Sequence, residues 1–362
     1  MSKVEELLAK YNPNGVFQSD LREVSSIIRG KRVTKRDVKE RGDYPVISGG
    51  ESPMGYYDTF NREANTITIA QYGAAGYVDF QKNKFWANDV CYSILPFESV
   101  NNKYLYYTLK SKHNYFYSIR ITDEVPFSLP INTLYSIQIP LPHIKVQEEI
   151  VKILDSFTNL IDALNEELSL RQKQFEYYRE KLLTFEKCEC EWKKLGDILD
   201  YEQPSKYIVS SSEYNDNYDI PVLTAGQTFI LGYTDEKDGV YKASKKNPTI
   251  IFDDFTTGHH WVDFDFKIKS SAMKMLRLKN NKSILRYIFH SMALINYVPS
   301  EHSRQWISKY SQFEIPLPHI KVQEEIVNLL DTFTNLISSL KEEIALRQKQ
   351  YEYYREKLLT FD

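Results

Sequence analysis

The sequence is dominated by one internal repeat, which covers residues 139–186 and 315–362. Aligned without a gap at an offset of 176, the two copies are identical at 38 of 48 positions. The segments before each copy, residues 1–138 and 187–314, match only in scattered places. A repeat of this kind sets the architecture of a chain, so we interpret the sequence first as a tandem duplication. One half of each duplicated unit is constant and the other half differs, which indicates a constant frame that carries two different binding domains.

Each repeat copy has the pattern of a long coiled-coil helix. After the Pro-rich IPLPH that opens the first copy, no Pro or Gly occurs before Gly196. Apolar residues recur in steps of four and three, which is the 3.5-residue period of a left-handed coiled coil. A helix of about 40 residues would be ~60 Å long. The predicted helix–helix packing residues are Ile150, Leu154, Phe157, Ile161, Leu164, Leu168, Phe175, Tyr178 and Leu182 in the first copy, and Ile326, Leu330, Phe333, Ile337, Leu340, Ile344, Tyr351, Tyr354 and Leu358 in the second.

We expect the two helices to pair with each other in antiparallel orientation. The first helix leads into the second variable segment, and the points where a chain enters and leaves a domain often lie close together. The second helix would therefore begin near the end of the first and run back along it. Arg171 and Arg347 interrupt the apolar pattern at matching places. Register control at a solvated position is the simpler interpretation, and a docking contact for another subunit is the alternative.

The two variable segments are distant copies of each other. YPV at 44–46 matches IPV at 220–222, and residues 65–80 resemble residues 248–264. Both segments consist of short alternating runs rich in Tyr, Phe, Ile and Val, which predicts mostly β domains with helices around 101–113 and 282–294. The predicted fold class is α+β, with two mostly-β globular domains (1–138 and 187–314) separated by two long helices (139–186 and 315–362). The helices form an antiparallel coiled coil, and the whole is pseudo-two-fold symmetric.

Composition excludes several classes of protein. Hydrophobic residues make up 42% of the chain and charged residues 26%, and no stretch approaches the ~20 apolar residues that span a bilayer. The N-terminus lacks the apolar core of a signal peptide, and three cysteines without a disulfide spacing indicate a reducing cytoplasm. The net charge is −3, which argues against a uniformly basic nucleic-acid binder. Any DNA binding would need local basic patches or positive surface from a partner.

The order of these motifs resembles the specificity subunit of type I restriction–modification systems. The resemblance covers essentially the whole chain. The residues that carry it are the YPVISGG and IPVLTAG turns, the ITIAQYGAAGYVDF strand–turn–strand, IPLPHIKVQEEIV at the start of each helix, and the duplication itself. It implies that each variable segment is a target-recognition domain that reads one half of a split double-stranded DNA site. The helices would set the spacing of the half-sites and dock two methyltransferase subunits.

The resemblance also implies that cofactors belong to the partners rather than to this chain. Methyltransferase (modification) subunits would use S-adenosylmethionine to methylate adenine, and motor/nuclease (restriction) subunits would join for cleavage and use ATP and Mg²⁺. No membrane is implied. Exchange of one variable domain should change one half-site and leave the other unchanged, and the near-identical repeats suggest that domains are exchanged by recombination.

Motifs for catalysis are missing from the sequence. A methyltransferase of exocyclic amines should show [DNS]-P-P-[YFW], and the nearest matches, at 12–14 and 247–249, do not fit. No dinucleotide or phosphate-loop motif is present either. Asp263, Asp265 and Lys267 could suggest a nuclease, but the equivalent stretch of the first domain keeps only Asp79. Cys188 and Cys190 lack the further His or Cys pair of a zinc site. The chain is therefore expected to be non-catalytic and to bind no metal.

Three sets of loops could read DNA, each weighed against the alternative of an ordinary solvated loop. Basic side chains suit phosphates, and Gln can pair bidentately with adenine. The first set is the basic run 29–41, with Lys31, Arg32, Lys35 and Arg36. The second set is the strand–turn–strand loop, with Gln71 and Tyr72 in the first domain and Thr257, His259 and His260 in the second. The third set precedes each repeat, with Arg120 in 120–127 and Ser303, Arg304 and Gln305 in 300–306, and Lys245 and Lys246 are further phosphate candidates.

A second hypothesis stays open at this level. The chain could be a non-catalytic, two-headed assembly scaffold whose β domains bind protein or glycan. Modified adenines in a split motif, found after co-expression with a methyltransferase subunit, would separate the two hypotheses.

Overall fold

The computed structural model describes residues 2–122, 126–224, 228–301 and 303–361 and divides the chain into two compact units. The first unit comprises residues 1–166 and 342–362, and the second comprises residues 167–341. Each unit therefore combines one variable segment with a part of each repeat. We describe each unit by itself.

The strands follow one order twice along the described part of the chain. The elements before and within the first repeat are α1 (Lys3–Tyr11), β1 (Phe17–Asp20), α2 (Leu21–Val24), β2 (Ser25–Arg29), β3 (Tyr44–Ile47), β4 (Tyr56–Tyr57), β5 (Thr66–Ala70), β6 (Val78–Gln81), β7 (Trp86–Ala87), β8 (Cys91–Pro96), α3 (Asn102–Ser111), α4 (His113–Ile119), α5 (Ile131–Tyr135), β9 (Gln138–Leu141) and α6 (Ile144–Leu183). The remaining elements are β10 (Glu191–Lys194), α7 (Leu195–Ile198), β11 (Leu199–Glu202), β12 (Ile220–Leu223), β13 (Ile230–Thr234), β14 (Thr249–Asp253), β15 (His259–Val262), β16 (Lys267–Ile268), β17 (Met273–Leu278), α8 (Leu285–Met292), β18 (Glu314–Leu317) and α9 (Ile320–Leu359), with single 3-10 turns at Pro204–Lys206 and Tyr310–Gln312. Helices α1, α4 and α5 have no equivalent α-helix among the described residues of the second half.

The two variable segments have the same sheet topology. In the first unit a four-stranded sheet has the order β2-β8-β5-β6, a three-stranded sheet β4-β3-β7, and a two-stranded sheet β1-β9. In the second unit the equivalent orders are β11-β17-β14-β15, β13-β12-β16 and β10-β18. Strand pairs are antiparallel except for β3 with β7 and β12 with β16. The predicted α+β class and the common fold of the two segments are confirmed.

A central strand organises the core of each unit. Every residue of β5 and of β14 is buried, as expected for a strand that is covered on both faces. In the first unit β5 contributes Ile67 and Ile69 to a core that includes Leu105 and Leu109 of α3. In the second unit Phe252 of β14 packs in a core with residues of α8.

The predicted antiparallel pairing of the long helices is present within each unit. In the first unit the first part of α6 packs against the last part of α9, and the rings of Phe157 and Tyr354 stack with centroids 5.3 Å apart. In the second unit the last part of α6 packs against the first part of α9, and Tyr178 stacks on Phe333 at 5.6 Å. In both units the start of one long helix therefore packs against the end of the other, which is the antiparallel arrangement.

The residues predicted to form the seam are buried or half-buried, with one exception. Tyr354 is 40% exposed, but its ring still stacks on Phe157. Arg171 and Arg347 make matching intrahelical contacts, each with an ion pair to the glutamate four residues earlier, Glu167 or Glu343. These local contacts agree with a solvated position in the coiled coil.

The constant helices hold the variable segments through three equivalent anchors. The first is a buried glutamine near the start of each helix. Gln147 accepts a hydrogen bond from Asn101 N (2.8 Å) and donates one to Pro142 O (2.8 Å). Gln323 likewise accepts from Ile284 N (3.1 Å) and donates to Pro318 O. The variable segment contributes only backbone groups to this anchor, so many different residues can stand there.

The second and third anchors need particular side chains from the variable segment. Tyr104 Oη donates to Pro140 O at 2.8 Å, and Tyr287 Oη donates to Pro316 O at 3.0 Å. Asp155 accepts from Lys103 Nζ and Tyr107 Oη in the first unit. Its repeat equivalent Asp331 contacts Arg286 Nε at 2.7 Å and His290 Nε2 at 3.2 Å. The same aspartate therefore accepts different donors from the two segments.

We expect the substitution Gln147→Leu to destabilise the first unit. The change keeps the volume but leaves Asn101 N and Pro142 O without their partner, which costs about 2 kcal/mol. Urea unfolding followed by circular dichroism should show a lower midpoint for the first unit. Gln172→Leu, at an exposed position of the same helix, is the matched control. Equal midpoints for both variants would contradict the role of Gln147 as an anchor.

Candidate nucleic-acid interface

The second and third predicted loop sets meet in each unit. In the first unit Leu129 N donates to Gln71 O at 2.8 Å and Gly73 N donates to Phe127 O at 3.2 Å. In the second unit Gln305 N donates to Asp254 O at 2.8 Å. Leu129 and Gln305 are equivalent at the repeat offset of 176. The same backbone contact therefore joins the turn after β5 or β14 to the loop that precedes each repeat.

Glycines build the turn of the first unit. Ala74 N donates to Gly49 O at 2.8 Å, and a Cβ on Gly49 would lie only 2.3 Å from Tyr72 O. Gly73 has φ +77°, a conformation that L side chains rarely adopt. These glycines permit two backbone segments to approach each other, and Tyr72 is left half-buried at the tip of the turn.

An aspartate builds the equivalent turn of the second unit. The Asp253 carboxylate accepts hydrogen bonds from Phe255 N (2.9 Å) and from Thr256 Oγ1. Thr257 has φ +63° and is only 8% exposed, and its hydroxyl donates to Thr256 O. Thr257 was predicted to contact DNA, but the structure places its side chain inside the turn. The two turns thus occupy the same place in the fold and differ in chemistry.

A buried ion pair lies under the turn of the second unit. Lys274 Nζ is 3.0 Å from Asp254 Oδ2, and both side chains are essentially inaccessible. Trp306 N donates to Asp254 Oδ1 at 2.8 Å. Arg304 Nη1 is 3.8 Å from Asp254 Oδ2, and its side chain is 49% exposed. The buried Asp254 carboxylate therefore orients Arg304, whose side chain remains about half exposed to solvent.

Two predicted base-reading glutamines are buried. Gln305 is fully buried, its amide donates to Ser303 O (2.7 Å), and its oxygen accepts from Tyr297 Oη (2.7 Å). Gln71 is 9% exposed, and its Oε1 lies inside the domain. Hydrogen bonds within the domain therefore correct the prediction for Gln305, and burial corrects it for Gln71. Ser303, half-buried beside Gln305, belongs to the same internal network.

The predicted histidines lie in a strand rather than in the loop. His259 and His260 begin β15 and pair with Phe252 and Ile251 of β14. His260 stacks on Phe229 with centroids 4.1 Å apart. Burial lowers the pKa of His259 to about 4 and also lowers the pKa of His260. Both rings are therefore neutral near pH 7 and supply no positive charge to a phosphate.

The basic run leaves the four-stranded sheet at the same end as the turn of the first unit. Arg29, the last residue of β2, pairs with Tyr92, and Ala70, the last residue of β5, pairs with Cys91. The predicted phosphate contacts are all exposed: Lys31, Arg32, Lys35 and Arg36. Trp86 Nε1 donates to Lys31 O at 2.9 Å, which holds the start of the run against β7.

Lys245 and Lys246 do not join this surface. They form the tip of a tight turn closed by Ser244 and Asn247, immediately before β14 begins. The turn at 254–258 follows the end of β14, so the two sites are separated by the strand, or about 17 Å. The lysines are exposed, but they lie at the opposite end of the sheet from Arg304.

Arg120, a half-buried cation, belongs to the third loop in the first unit. Its guanidinium lies 4.5 Å from the ring centroids of both Tyr117 and Phe127, an arrangement that holds the charge in place. Residues 123–125 of this predicted loop and residue 302 of its equivalent lie outside the described residues. In the second unit Lys269 follows β16 and its N–H donates to Leu223 O. Sequence reasoning did not include Lys269, whose Nζ donates to Ser212 Oγ at 2.6 Å.

The possible nuclease residues have structural partners instead. Asp265 pairs with Lys242 at 2.6 Å, and Lys267 is buried between Glu236 Oε2 (2.6 Å) and Asp238 O (2.7 Å). Within the described residues no group of three or more His, Cys, Asp or Glu side chains could hold a metal ion. In the same part of the chain no helix is long and apolar enough to cross a membrane.

Comparisons with known proteins agree on one family. A family model described as the type I restriction modification DNA specificity domain matches residues 13–170 and 189–346. The specificity subunit of the Escherichia coli type I restriction enzyme EcoR124I/EcoR124II is 53% identical over 197 residues, which is 51% of this chain and 47% of that protein. This chain thus aligns with about half the length of the E. coli protein.

Two further comparisons extend along almost the whole chain. A Haemophilus influenzae protein named as a type I restriction enzyme specificity subunit is 28% identical over 370 residues. The alignment covers 94% of this chain and 94% of that protein. The crystal structure of a type I restriction–modification S subunit from M. genitalium superposes with a TM-score of 0.71 at 16% identity, covering 95% of this chain and 96% of that one. At that identity the superposition supports the fold.

We expect Lys274→Met to destabilise the second unit strongly. The change leaves the Asp254 carboxylate buried without its lysine, which costs about 3–5 kcal/mol. The double variant Lys274→Met/Asp254→Asn should lose much less, since the uncompensated charge is gone. Tryptophan fluorescence during urea unfolding measures both, because Trp306 lies beside the pair. Lys242→Met, which breaks an exposed ion pair worth about 0–1 kcal/mol, is the control. A double variant no better than the single one would contradict this assignment.

Proposed function

Because the chain belongs to the type I restriction–modification DNA specificity family, we propose that it is the sequence-reading subunit of a type I restriction–modification complex. Each variable segment reads one half of a split site in double-stranded DNA. The two long helices fix the separation of the half-sites and dock two methyltransferase subunits. The chain itself is non-catalytic. S-adenosylmethionine is held by the methyltransferase subunits, and ATP and Mg²⁺ by the motor/nuclease subunits that complete the complex in the cytoplasm.

One observation carries this proposal. Two units of identical topology place a turn and a loop at the same end of equivalent sheets, and the chemistry of these two surfaces differs. The first surface has Tyr72, Arg120 and the exposed basic run. The second has Arg304, held by Asp254, and Lys269. A shared scaffold with different exposed groups is what two readers of unlike half-sites require.

The set of reading residues is smaller than the sequence suggested. Arg304, Arg120 and Tyr72 are available for base edges, and the basic run is available for phosphates. Gln71, Gln305, Ser303 and Thr257 support the loops from inside. The neutral His259 and His260 and the distant Lys245 and Lys246 are left out of the interface.

Exposed apolar side chains on the helices support the docking of two equivalent partners. Pairing buries one face of each helix, and large apolar residues remain exposed at matching positions of both copies. They are Leu160, Leu170 and Tyr177 on α6, and Leu336, Leu346 and Tyr353 on α9. Identical patches on the two helices suit two copies of one partner.

Co-expression with a methyltransferase subunit, followed by sequencing for modified adenines, tests the function. A split motif with two different halves supports it. The alternative, a two-headed scaffold whose β domains bind protein or glycan, predicts no modification above that of the methyltransferase subunit alone. Exchange of residues 1–138 for another variable segment should then alter one half of the motif only.

Removal of charge from the basic run should weaken binding to every DNA sequence. With Lys31→Ala/Arg32→Ala we expect the slope of log affinity against log salt to fall by about 2, since each phosphate contact contributes about 0.9. Fluorescence anisotropy of the assembled complex on cognate and unrelated duplexes measures this. Lys173→Ala/Lys349→Ala, which removes two exposed lysines of the helices, should leave the slope unchanged. A loss confined to cognate DNA would refute a phosphate role.

Arg304→Ala should relax one half-site only. A base contact by arginine contributes about 1–3 kcal/mol of discrimination, so modified adenines should occur in a motif that is degenerate at one position and intact in the other half. Lys309→Ala, at an exposed position nearby, is the control. A uniform fall in modification with an unchanged motif would assign Arg304 to the phosphates instead.

A further inference from the structure

The first helix of the chain occupies a surface that the repeat duplicates. Helix α1 packs at the start of α6, where Val4, Leu7 and Leu8 join a cluster with Val146, Ile150 and Val151. Val146 is fully buried there. The apolar side of α1 therefore covers one face of the α6 start.

Polar contacts fix both ends of α1 on this surface. Lys3 Nζ pairs with Glu149 Oε2 at 2.8 Å, and that glutamate is only 15% exposed. At the other end the Tyr11 ring stacks on His143 at 4.4 Å, and Lys145 Nζ donates to Tyr11 Oη. Asn12 Oδ1 accepts from His143 N at 3.0 Å. The arrangement selects a helix with a cation at its start, apolar residues along one face and an aromatic residue at its end.

The start of α9 carries the same surface residue for residue. We call this surface the α9 seat, and its members are His319, Lys321, Val322, Glu325, Ile326 and Val327, identical to His143, Lys145, Val146, Glu149, Ile150 and Val151 at the offset of 176. Val322 is 37% exposed where Val146 is fully buried. Glu325 is exposed and, within the described residues, forms no ion pair of the kind that Glu149 makes with Lys3.

Chain connectivity explains the difference between the two surfaces. At the repeat offset, α1 corresponds to residues 179–187, where the chain forms the end of α6. In the second unit that end packs against Ile326 and Leu330 of α9, as the end of α9 packs at the start of α6 in the first unit. The first unit has α1 in addition. Among the described residues, the second unit therefore has no helix equivalent to α1, although the residues that hold such a helix are retained.

We propose that the α9 seat binds a short amphipathic helix of a partner protein, with the pattern of α1: a basic residue that faces Glu325, apolar residues against Val322 and an aromatic residue on His319. Charge complementarity and the occupied twin surface identify this chemistry. A second copy of the chain would have to withdraw α1 from an identical surface of its own and would gain no contact. The proposal goes beyond DNA reading and does not depend on it.

A peptide of residues 2–15 of this chain is the probe. A lactam between Glu6 and Lys10, which are both exposed in α1, holds it helical and lowers the cost of ordering. Fluorescence anisotropy with the labelled peptide and the full chain, without DNA or other subunits, should show one saturable site. Failure of this assay would leave the proposed DNA-reading function intact, since the assay contains neither DNA nor a methyltransferase subunit.

Substitutions locate the site. Val322→Glu should weaken peptide binding about tenfold or more, because it places a charge in the apolar contact that Val146 makes with α1 in the first unit. Leu346→Glu, at another exposed apolar position of α9, should leave binding unchanged. Glu325→Lys should weaken binding of the natural peptide, and a Lys3→Glu peptide should regain affinity for that variant.

Three results would overturn the proposal. The first is the absence of saturable binding. The second is binding that survives Val322→Glu but is lost with Val146→Glu, which would mean that the peptide exchanges with α1 on its own surface. The third is a dimer of the purified chain, seen by light scattering, that Val322→Glu dissociates, because a second copy would then be the occupant.

Discussion

The attachment of a variable domain to a constant helix is the interaction on which this structure depends. Each constant repeat provides a glutamine side chain, a proline carbonyl and an aspartate carboxylate. The variable domain donates a backbone N–H to the glutamine, a tyrosine hydroxyl to the proline carbonyl and two side-chain groups to the aspartate. The glutamine and proline contacts are the same in both units. The aspartate accepts from Lys and Tyr in the first unit and contacts Arg and His in the second. A domain can therefore change its reading surface without changing its attachment, which is the condition for two readers on one frame.

In each domain, the residues that stabilise the fold and the residues proposed to recognise DNA occupy different positions. The central strands are buried at every residue, and the turns that follow them are held by internal hydrogen bonds: backbone to glycine in the first unit and backbone to Asp253 in the second. Side chains that fix these turns, such as Gln305 and Thr257, are buried within the domain. Recognition is left to cations: a carboxylate holds the exposed Arg304 from one side, and aromatic rings hold the half-buried Arg120. Preorganisation of this kind lowers the entropy lost when a long side chain binds.

Repetition also leaves a difference between the ends of the chain. The helix α1 covers the start of α6, while Val322 and Glu325 at the start of α9 are exposed. The starts of α6 and α9 have the same residues, so the contacts of α1 on α6 show what the start of α9 is also able to bind. Exposed apolar residues at matching positions of both helices are likewise available to larger partners, because pairing of two helices buries only one face of each.

Periodicity and repetition in the sequence determined the two long helices, their antiparallel pairing and the common fold of the variable segments. These features rest on patterns that persist over many residues, so a few local exceptions such as Arg171 do not obscure them. The candidate site could be predicted only as a set of loops. Gln305, Gln71 and Thr257 carry suitable groups for DNA, and only the tertiary structure shows that these groups point inward, because hydrogen bonds between distant segments decide their orientation. Lys245 and Arg304 look alike in sequence, and the five residues of β14 put them at opposite ends of a sheet. Burial, pairing and distance are properties of the folded chain, and they decide which polar residues are free to bind.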